Sequence, residues 1–137
     1  VLTGGPSDRE RAMGDAIVRH CRSAPINLIG KTNLKELLAL LDRATAVITP
    51  DSGPAHMATT VGTPVIGLYV TSNPLRTGPY HSQQWVINHY PDALKSELEK
   101  DVTDVPWGTR VRNPQAMQRI TTLEVKNKLE QLYGGLS

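Results

Sequence analysis

The sequence predicts an α/β fold, a parallel β-sheet with helices packed on both faces. Two observations carry this. Short apolar runs alternate with helical patterns from Val1 to Tyr69, joined by connections of a few residues. The runs hold few charges, as strands covered on both faces do. A chain of 137 residues suits one ordinary domain, residues 1–137, and is long enough to bury a core.

The elements follow in order. Val1-Leu2-Thr3 reads as a short strand ending in Gly4-Gly5. "PSDRERAMGDAIVRHC" reads as a helix with a capping box, Ser7 as N-cap and Glu10 three residues on. Met13, Ile17 and Cys21 share its apolar stripe, so Cys21 is expected to be packed. Ile26 to Ile29 is a second strand, closed by Gly30. In "TNLKELLALLDRAT", Asn33 and Glu36 repeat the capping logic, and Leu34, Leu37, Leu38 and Leu41 form one apolar face. Ala46 to Thr49 is the third strand, Gly53 to Val61 a helix of small residues, and Val65 to Tyr69 the fourth strand. The regularity then fades. "VTSNPLRTGPYHS" reads as a loop and "QQWVIN" as a candidate fifth strand. Residues 88–116 read as irregular, with one charged helix at Ala93 to Lys100. A last helix, "TTLEVKNKLEQLYGG", stops at Gly134.

Composition narrows the function. Apolar content of 39% and charged content of 20% are globular values. A net charge of +2, with acids and bases interspersed, gives no support to nucleic-acid binding. No window offers 18 apolar residues for a membrane helix. The lone Cys21 excludes an internal disulfide and a cysteine-cluster zinc site, and is compatible with a reduced, intracellular setting. His20, His81 and His89 lack metal-ligand spacing. The chain starts at Val1 with a strand already under way, as expected of a fragment whose first part is missing.

In open parallel sheets, ligands bind beyond the carboxyl ends of the strands. Those ends carry Gly4-Gly5, Gly30-Lys31-Thr32, Asp51-Ser52-Gly53 and Thr71-Ser72, expected to gather along one sheet edge. Ser52-Gly53-Pro54-Ala55-His56 suits an anion best. Pro54 fits a first helical turn, Gly53 removes a Cβ where a ligand would approach, and free N–H groups with the helix dipole favour a phosphate. Ser52 adds a hydroxyl and His56 a ring nitrogen. A plainer reading stands beside it: Asp51 or Ser52 caps the helix and His56 packs. Other sites fail on pattern. There is no G-x-G-x-x-G, and Gly30-Lys31-Thr32 lacks the upstream Walker glycine because position 25 is Pro. There is no G-x-S-x-G elbow. A phosphoacceptor receiver would need an acidic pair after the first strand, where Gly4-Gly5 stands.

Taken together, "LTGGPSDRE", "LIGKTNLKELLALLDRATAVITPDSGPAHMATTVGTPVIGLY" and "TSNPLRTGPY" resemble the C-terminal half of the ADP-heptose:lipopolysaccharide heptosyltransferases, glycosyltransferase family 9. "PQAMQRITTLEVKNKL" is similar, more weakly, to the family's closing helix. The resemblance implies a Rossmann-like domain, the C-terminal half of a GT-B arrangement, which holds the nucleotide-sugar donor within a two-domain enzyme. It implies that Asp51, Ser52, Gly53, Pro54 and His56 lie beside the donor pyrophosphate, with His56 stabilising the leaving group. Lys31, Thr32 and Leu34 belong to the loop implied to border the adenine. Gly4 and Gly5 are implied to leave room for the nucleoside, with Asp8 or Glu10 within reach of the ribose. Thr71 and Ser72 are implied to face the sugar or the cleft.

The implied reaction is inverting transfer of heptose from ADP-heptose to the lipopolysaccharide inner core, with no cofactor and no metal. The catalytic base is implied to sit in an N-terminal domain that also receives the acceptor, so this chain alone would be inactive. The implied setting is cytoplasmic, with peripheral association at the inner membrane. The alternatives are a non-catalytic nucleotide-binding module and a transferase using another nucleotide sugar. Arg110 and Arg112 fall outside the shared motifs and read as surface residues rather than phosphate contacts.

Overall fold

The structure, a computed structural model, describes residues 1–136. The chain divides into two compact units, Val1–Leu40 and Leu41–Ser137.

In the first unit, α1 (Asp8–His20) starts from the expected box: the Glu10 amide donates to Ser7 Oγ. The Glu10 carboxylate accepts from Ser7 Oγ at 2.7 Å and from the Gly5 amide at 3.0 Å, which lowers its pKa. The two predicted strands shrink to a single parallel bridge, Leu2 with Asn27. The Leu2 amide donates to Ile26 O and the Leu28 amide to Leu2 O. The ladder stops because Asn27 Oδ1 accepts the Ile29 amide and Gly30, at φ 71°, turns the chain. The apolar stripe of α1 is not buried: Met13, Ile17 and Cys21 are all exposed, so the expectation of a packed Cys21 fails. Gly14 is the buried residue of α1, and a Cβ there would lie 2.4 Å from Ile29 Cδ1. Helix α2 (Leu34–Arg43) opens with the reciprocal Asn33–Glu36 bonds. Of its leucine face only Leu41 is fully buried, and Leu34 is 74% exposed.

The second unit holds a three-stranded parallel sheet ordered β1 (Val47–Pro50), β2 (Val65–Tyr69), β3 (Ile87–Asn88). The register pairs Val47 with Val65 and Leu68 with Ile87. Helix α3 (Gly53–Thr60) joins β1 to β2 and packs on both through small residues, Ala55 and Ala58, each 0% exposed. Gly62, at φ 78°, ends it in a conformation that favours glycine.

Side chains alternate along β2. Ile66 joins Ile87 and Leu132 of α6 (Thr122–Leu136) in one apolar cluster. Val65, Gly67 and Tyr69 point the other way and are buried too. A Cβ at Gly67 would lie 2.6 Å from Tyr69 Cε2, so the glycine makes room for the Tyr69 ring.

Beyond β2 the structure is more ordered than the sequence suggests. The expected loop contains α4 (Pro74–Thr77), capped by Asn73 Oδ1, which accepts the Leu75 amide at 3.0 Å. "QQWVIN" becomes a 3-10 turn, Gln83–Trp85, followed by the two residues of β3. Residues 88–116 are not merely irregular. Helix α5 (Tyr90–Leu98) buries Tyr90, Ala93 and Leu94 against Val70, Val111 and Ala116. These contacts come from far along the chain, which is why local pattern misses them. Helix α6 starts from another capping box, Thr121 with Glu124, whose carboxylate also bonds His89. It runs through Gly134, the expected stop. Gly134 carries no positive φ, so it does not form a left-handed cap.

Gly67→Ala is expected to lower stability by about 1–3 kcal/mol, the usual cost of overpacking. Urea denaturation followed by circular dichroism measures this.

Candidate functional site

The carboxyl ends of β1 and β2 lie side by side in the sheet, which brings Asp51 to Ser72. Asp51 follows the last residue of β1; Thr71 and Ser72 follow β2. Asp51 Oδ2 accepts three hydrogen bonds: from Ser72 Oγ at 2.6 Å, Thr77 Oγ1 at 3.2 Å and Arg110 Nη2 at 3.2 Å. Oδ1 accepts none from the described residues. Among those residues no buried side-chain oxygen lacks a partner, so Oδ1 is open to solvent.

The plainer reading of the motif therefore fails. Asp51 does not cap α3, because its carboxylate is held by Ser72, Thr77 and Arg110. Nor does Ser52: its hydroxyl meets Thr49 Oγ1 at 2.8 Å and donates to Pro50 O at 3.1 Å, with no side-chain bond to the helix. His56 is not packed but exposed. The start of α3 is thus left without a side-chain cap. A Cβ at Gly53 would meet nothing within 4 Å, so packing does not require a glycine there. The features left at this helix end are an open face, N–H dipoles and an imidazole, an arrangement that attracts an anion.

Arg110 is exposed, as the surface reading expects, and from the surface its guanidinium reaches the Asp51 carboxylate. The chain is anchored on both sides of it. Tyr90 Oη donates to Thr109 O at 2.8 Å, and the Val111 amide to Thr71 O at 3.0 Å. Sequence reasoning missed both Arg110 and Thr77. Asn73-Pro74 was a legible helix start that would have placed Thr77 on a first turn. For Arg110, which lies 59 residues from Asp51, no local signal exists. Arg112 is exposed, as expected.

Tyr69 lies under this cluster, 0% exposed, with its hydroxyl donating to Thr77 O at 3.1 Å. Burial and, secondarily, the Asp51 charge push its pKa from 10.0 up to about 12.

The other predicted site residues belong to the first unit. Gly4 and the loop after the second strand meet there, since the Gly30 amide donates to Gly4 O at 3.0 Å. Lys31 and Leu34 are exposed and Thr32 is half-buried. Side chains of the same unit lie against the positions a Cβ would take at Gly4 and Gly5. A Cβ at Gly5 would lie 2.8 Å from Glu10 Oε2, and one at Gly4 would lie 3.4 Å from Ile29. The Glu10 carboxylate is committed to Gly5 and Ser7, while Asp8 is exposed. A cleft of 210 Å³ in this unit is lined by Arg11, Asp15, Asn27, Ile29, Gly30 and Lys31. Among the described residues no cluster of three His, Cys, Asp or Glu side chains is arranged to hold a metal ion.

Comparison with known proteins decides the family. The model of glycosyltransferase family 9 (heptosyltransferase) matches residues 1–104. The chain belongs to glycosyltransferase family 9. It is 40% identical over 132 residues to the lipopolysaccharide core heptosyltransferase OpsX of Haemophilus influenzae, covering 96% of this chain and 38% of that protein. It is 39% identical over 105 residues to lipopolysaccharide heptosyltransferase 3 of Escherichia coli, covering 74% of this chain and 30% of that protein. Among solved structures, a family 9 glycosyltransferase from Veillonella parvula superposes with a TM-score of 0.69 at 29% identity, covering 95% of this chain and 35% of that one. The ADP-heptose lipopolysaccharide heptosyltransferase II of Escherichia coli gives 0.64 at 25% identity, covering 94% and 34%. The chain spans between 30% and 38% of the length of these relatives. The family's α/β architecture, a parallel sheet surrounded by helices in a GT-B protein, agrees with the fold described above.

The Tyr69 shift has a measurable consequence. The folded state holds the phenol proton more tightly than the unfolded chain. The stabilisation is full below pH 10 and is lost as pH rises from about 10 through 12. Tyr69→Phe is expected to cost about 1 kcal/mol at pH 8, through the lost bond to Thr77 O. The gap to the parent then narrows as the parent titrates. Urea denaturation at pH 8 and pH 11 measures both arms.

Proposed function

We propose that this chain is the donor-binding half of a heptosyltransferase that takes ADP-heptose and glycosylates the lipopolysaccharide inner core. The observation that carries the reading is the uncapped start of α3 beside a carboxylate with one free oxygen. The α3 end and His56 offer N–H dipoles and an imidazole to the donor pyrophosphate. Asp51 Oδ1, open to solvent, suits a hydroxyl donor such as a sugar. Thr71 and Ser72 stand beside it. In the same reading, Gly4, Gly5, Lys31, Thr32 and Leu34 of the first unit serve the nucleoside.

As the glycosidic bond to ADP breaks, negative charge grows on the departing diphosphate. Preorganised N–H groups and the His56 imidazole would stabilise that charge most where it is largest, in the transition state. The reading gives this task to protein dipoles and involves no resident cofactor or metal. A base that deprotonates the acceptor hydroxyl would come from a further domain, making the chain half of a two-domain GT-B enzyme. In this reading residues 1–137 are one nucleotide-sugar-binding domain. Among the described residues no helix is long and apolar enough to cross a membrane. The reading places the enzyme in the cytoplasm, at the face of the inner membrane where its acceptor is made.

Gly53 supplies the test, because a Cβ added there meets nothing within 4 Å in the protein itself. In the full-length protein that carries this chain, Gly53→Val is expected to leave thermal stability nearly unchanged and to weaken ADP binding about tenfold or more, by blocking the approach to the helix end. His56→Ala should weaken it about fivefold through loss of one charge-assisted contact. Calorimetry with ADP measures both; unchanged affinity in both variants would remove the assignment.

A further inference from the structure

We infer that Arg110 is a positioning residue whose task is to cancel and fix the charge of Asp51, so that an anionic donor can settle on the start of α3. The inference rests on the donor reading above and names a residue outside the motifs that suggested it.

An unbalanced carboxylate is a poor neighbour for a diphosphate. Like charges a few ångströms apart repel, and the repulsion grows as water is displaced. Asp51 immediately precedes the residue that opens onto α3, and its side chain is only 13% exposed. Arg110 answers that charge at 3.2 Å on Oδ2, the oxygen also bound by Ser72 and Thr77. All three donors converge on one oxygen and leave the other open, so the carboxylate has a defined orientation as well as a balanced charge.

The pair is not a loose surface contact. Long side chains on mobile segments contribute little when paired in water. Here the backbone of residues 109–111 is held by the Tyr90 hydroxyl on one side and by Thr71 O on the other, and Val111 is 4% exposed within the α5 cluster. The guanidinium itself is half exposed and uses one nitrogen on Asp51. The sequence distance between the two residues is bridged by core packing rather than by local structure.

The alternative role for an arginine at such a place is direct contact with the phosphates. A double substitution separates the two. In the full-length protein, Arg110→Ala is expected to weaken ADP binding about tenfold, an effect that shrinks as salt rises and screens the bare carboxylate. Adding Asp51→Asn should then restore most of the lost affinity, because the repelling charge is gone. Arg110→Lys, which keeps the charge, should fall between Arg110→Ala and the parent. Calorimetry with ADP at low and high salt gives these values, with thermal melts confirming that each variant folds.

A parent that binds ADP and an Arg110→Ala variant that binds it equally well would overturn the inference. So would an Arg110→Ala loss that Asp51→Asn fails to restore, since that marks a direct phosphate ligand. The donor reading fails separately, if the parent does not bind ADP or if Gly53→Val and His56→Ala both bind it as tightly as the parent.

Discussion

One carboxylate oxygen ties three stretches of the second unit to the end of β1. Asp51 Oδ2 receives Ser72 from the end of β2, Thr77 from α4 and Arg110 from the segment after α5. Each donor is itself held from behind. Thr77 O accepts the Tyr69 hydroxyl, the Thr71 carbonyl accepts the Val111 amide, and Tyr90 holds Thr109. The arrangement depends on the parallel pairing of β1 and β2, which sets their carboxyl ends side by side. A hydrogen bond in which one partner is ionised is roughly twice as strong as a neutral one. Concentrating several on one atom fixes a side chain that would otherwise rotate.

That fixation gives the motif its chemical meaning. With the acid drawn away toward its three donors, the start of α3 has no side-chain cap. Gly53 and the exposed His56 leave the same place open. A helix end of this kind is an anion site only if no protein carboxylate occupies it. The Asp51 contacts are what keep it vacant of one. In the proposed reading, that anion is the diphosphate of a sugar donor.

Residue patterns made much of this legible. The helices to Tyr69, the strands β1 and β2, the capping boxes at Ser7 and Asn33, and the helix opening at Gly53-Pro54 were readable from spacing, whereas the first two expected strands reduce to one bridge. The errors share one cause. Met13, Ile17 and Cys21 have helical spacing, yet spacing says which face of α1 is apolar and not whether anything covers it. Residues 88–116 lack a clear period because Tyr90, Leu94, Val111 and Ala116 serve a core assembled across long separations.

The sequence by itself determined the capped helix starts, the alternation of strand and helix from Ala46 to Tyr69, and the family, because these depend on neighbours within a few residues or on motif. Only the tertiary structure decided what Asp51 does. Its partners stand 21, 26 and 59 residues away, and hydrogen bonds of that reach are set by how the sheet and α5 pack. Backbone propensities are local and additive, whereas the direction of a half-buried carboxylate depends on which donors the whole fold brings within about 3 Å.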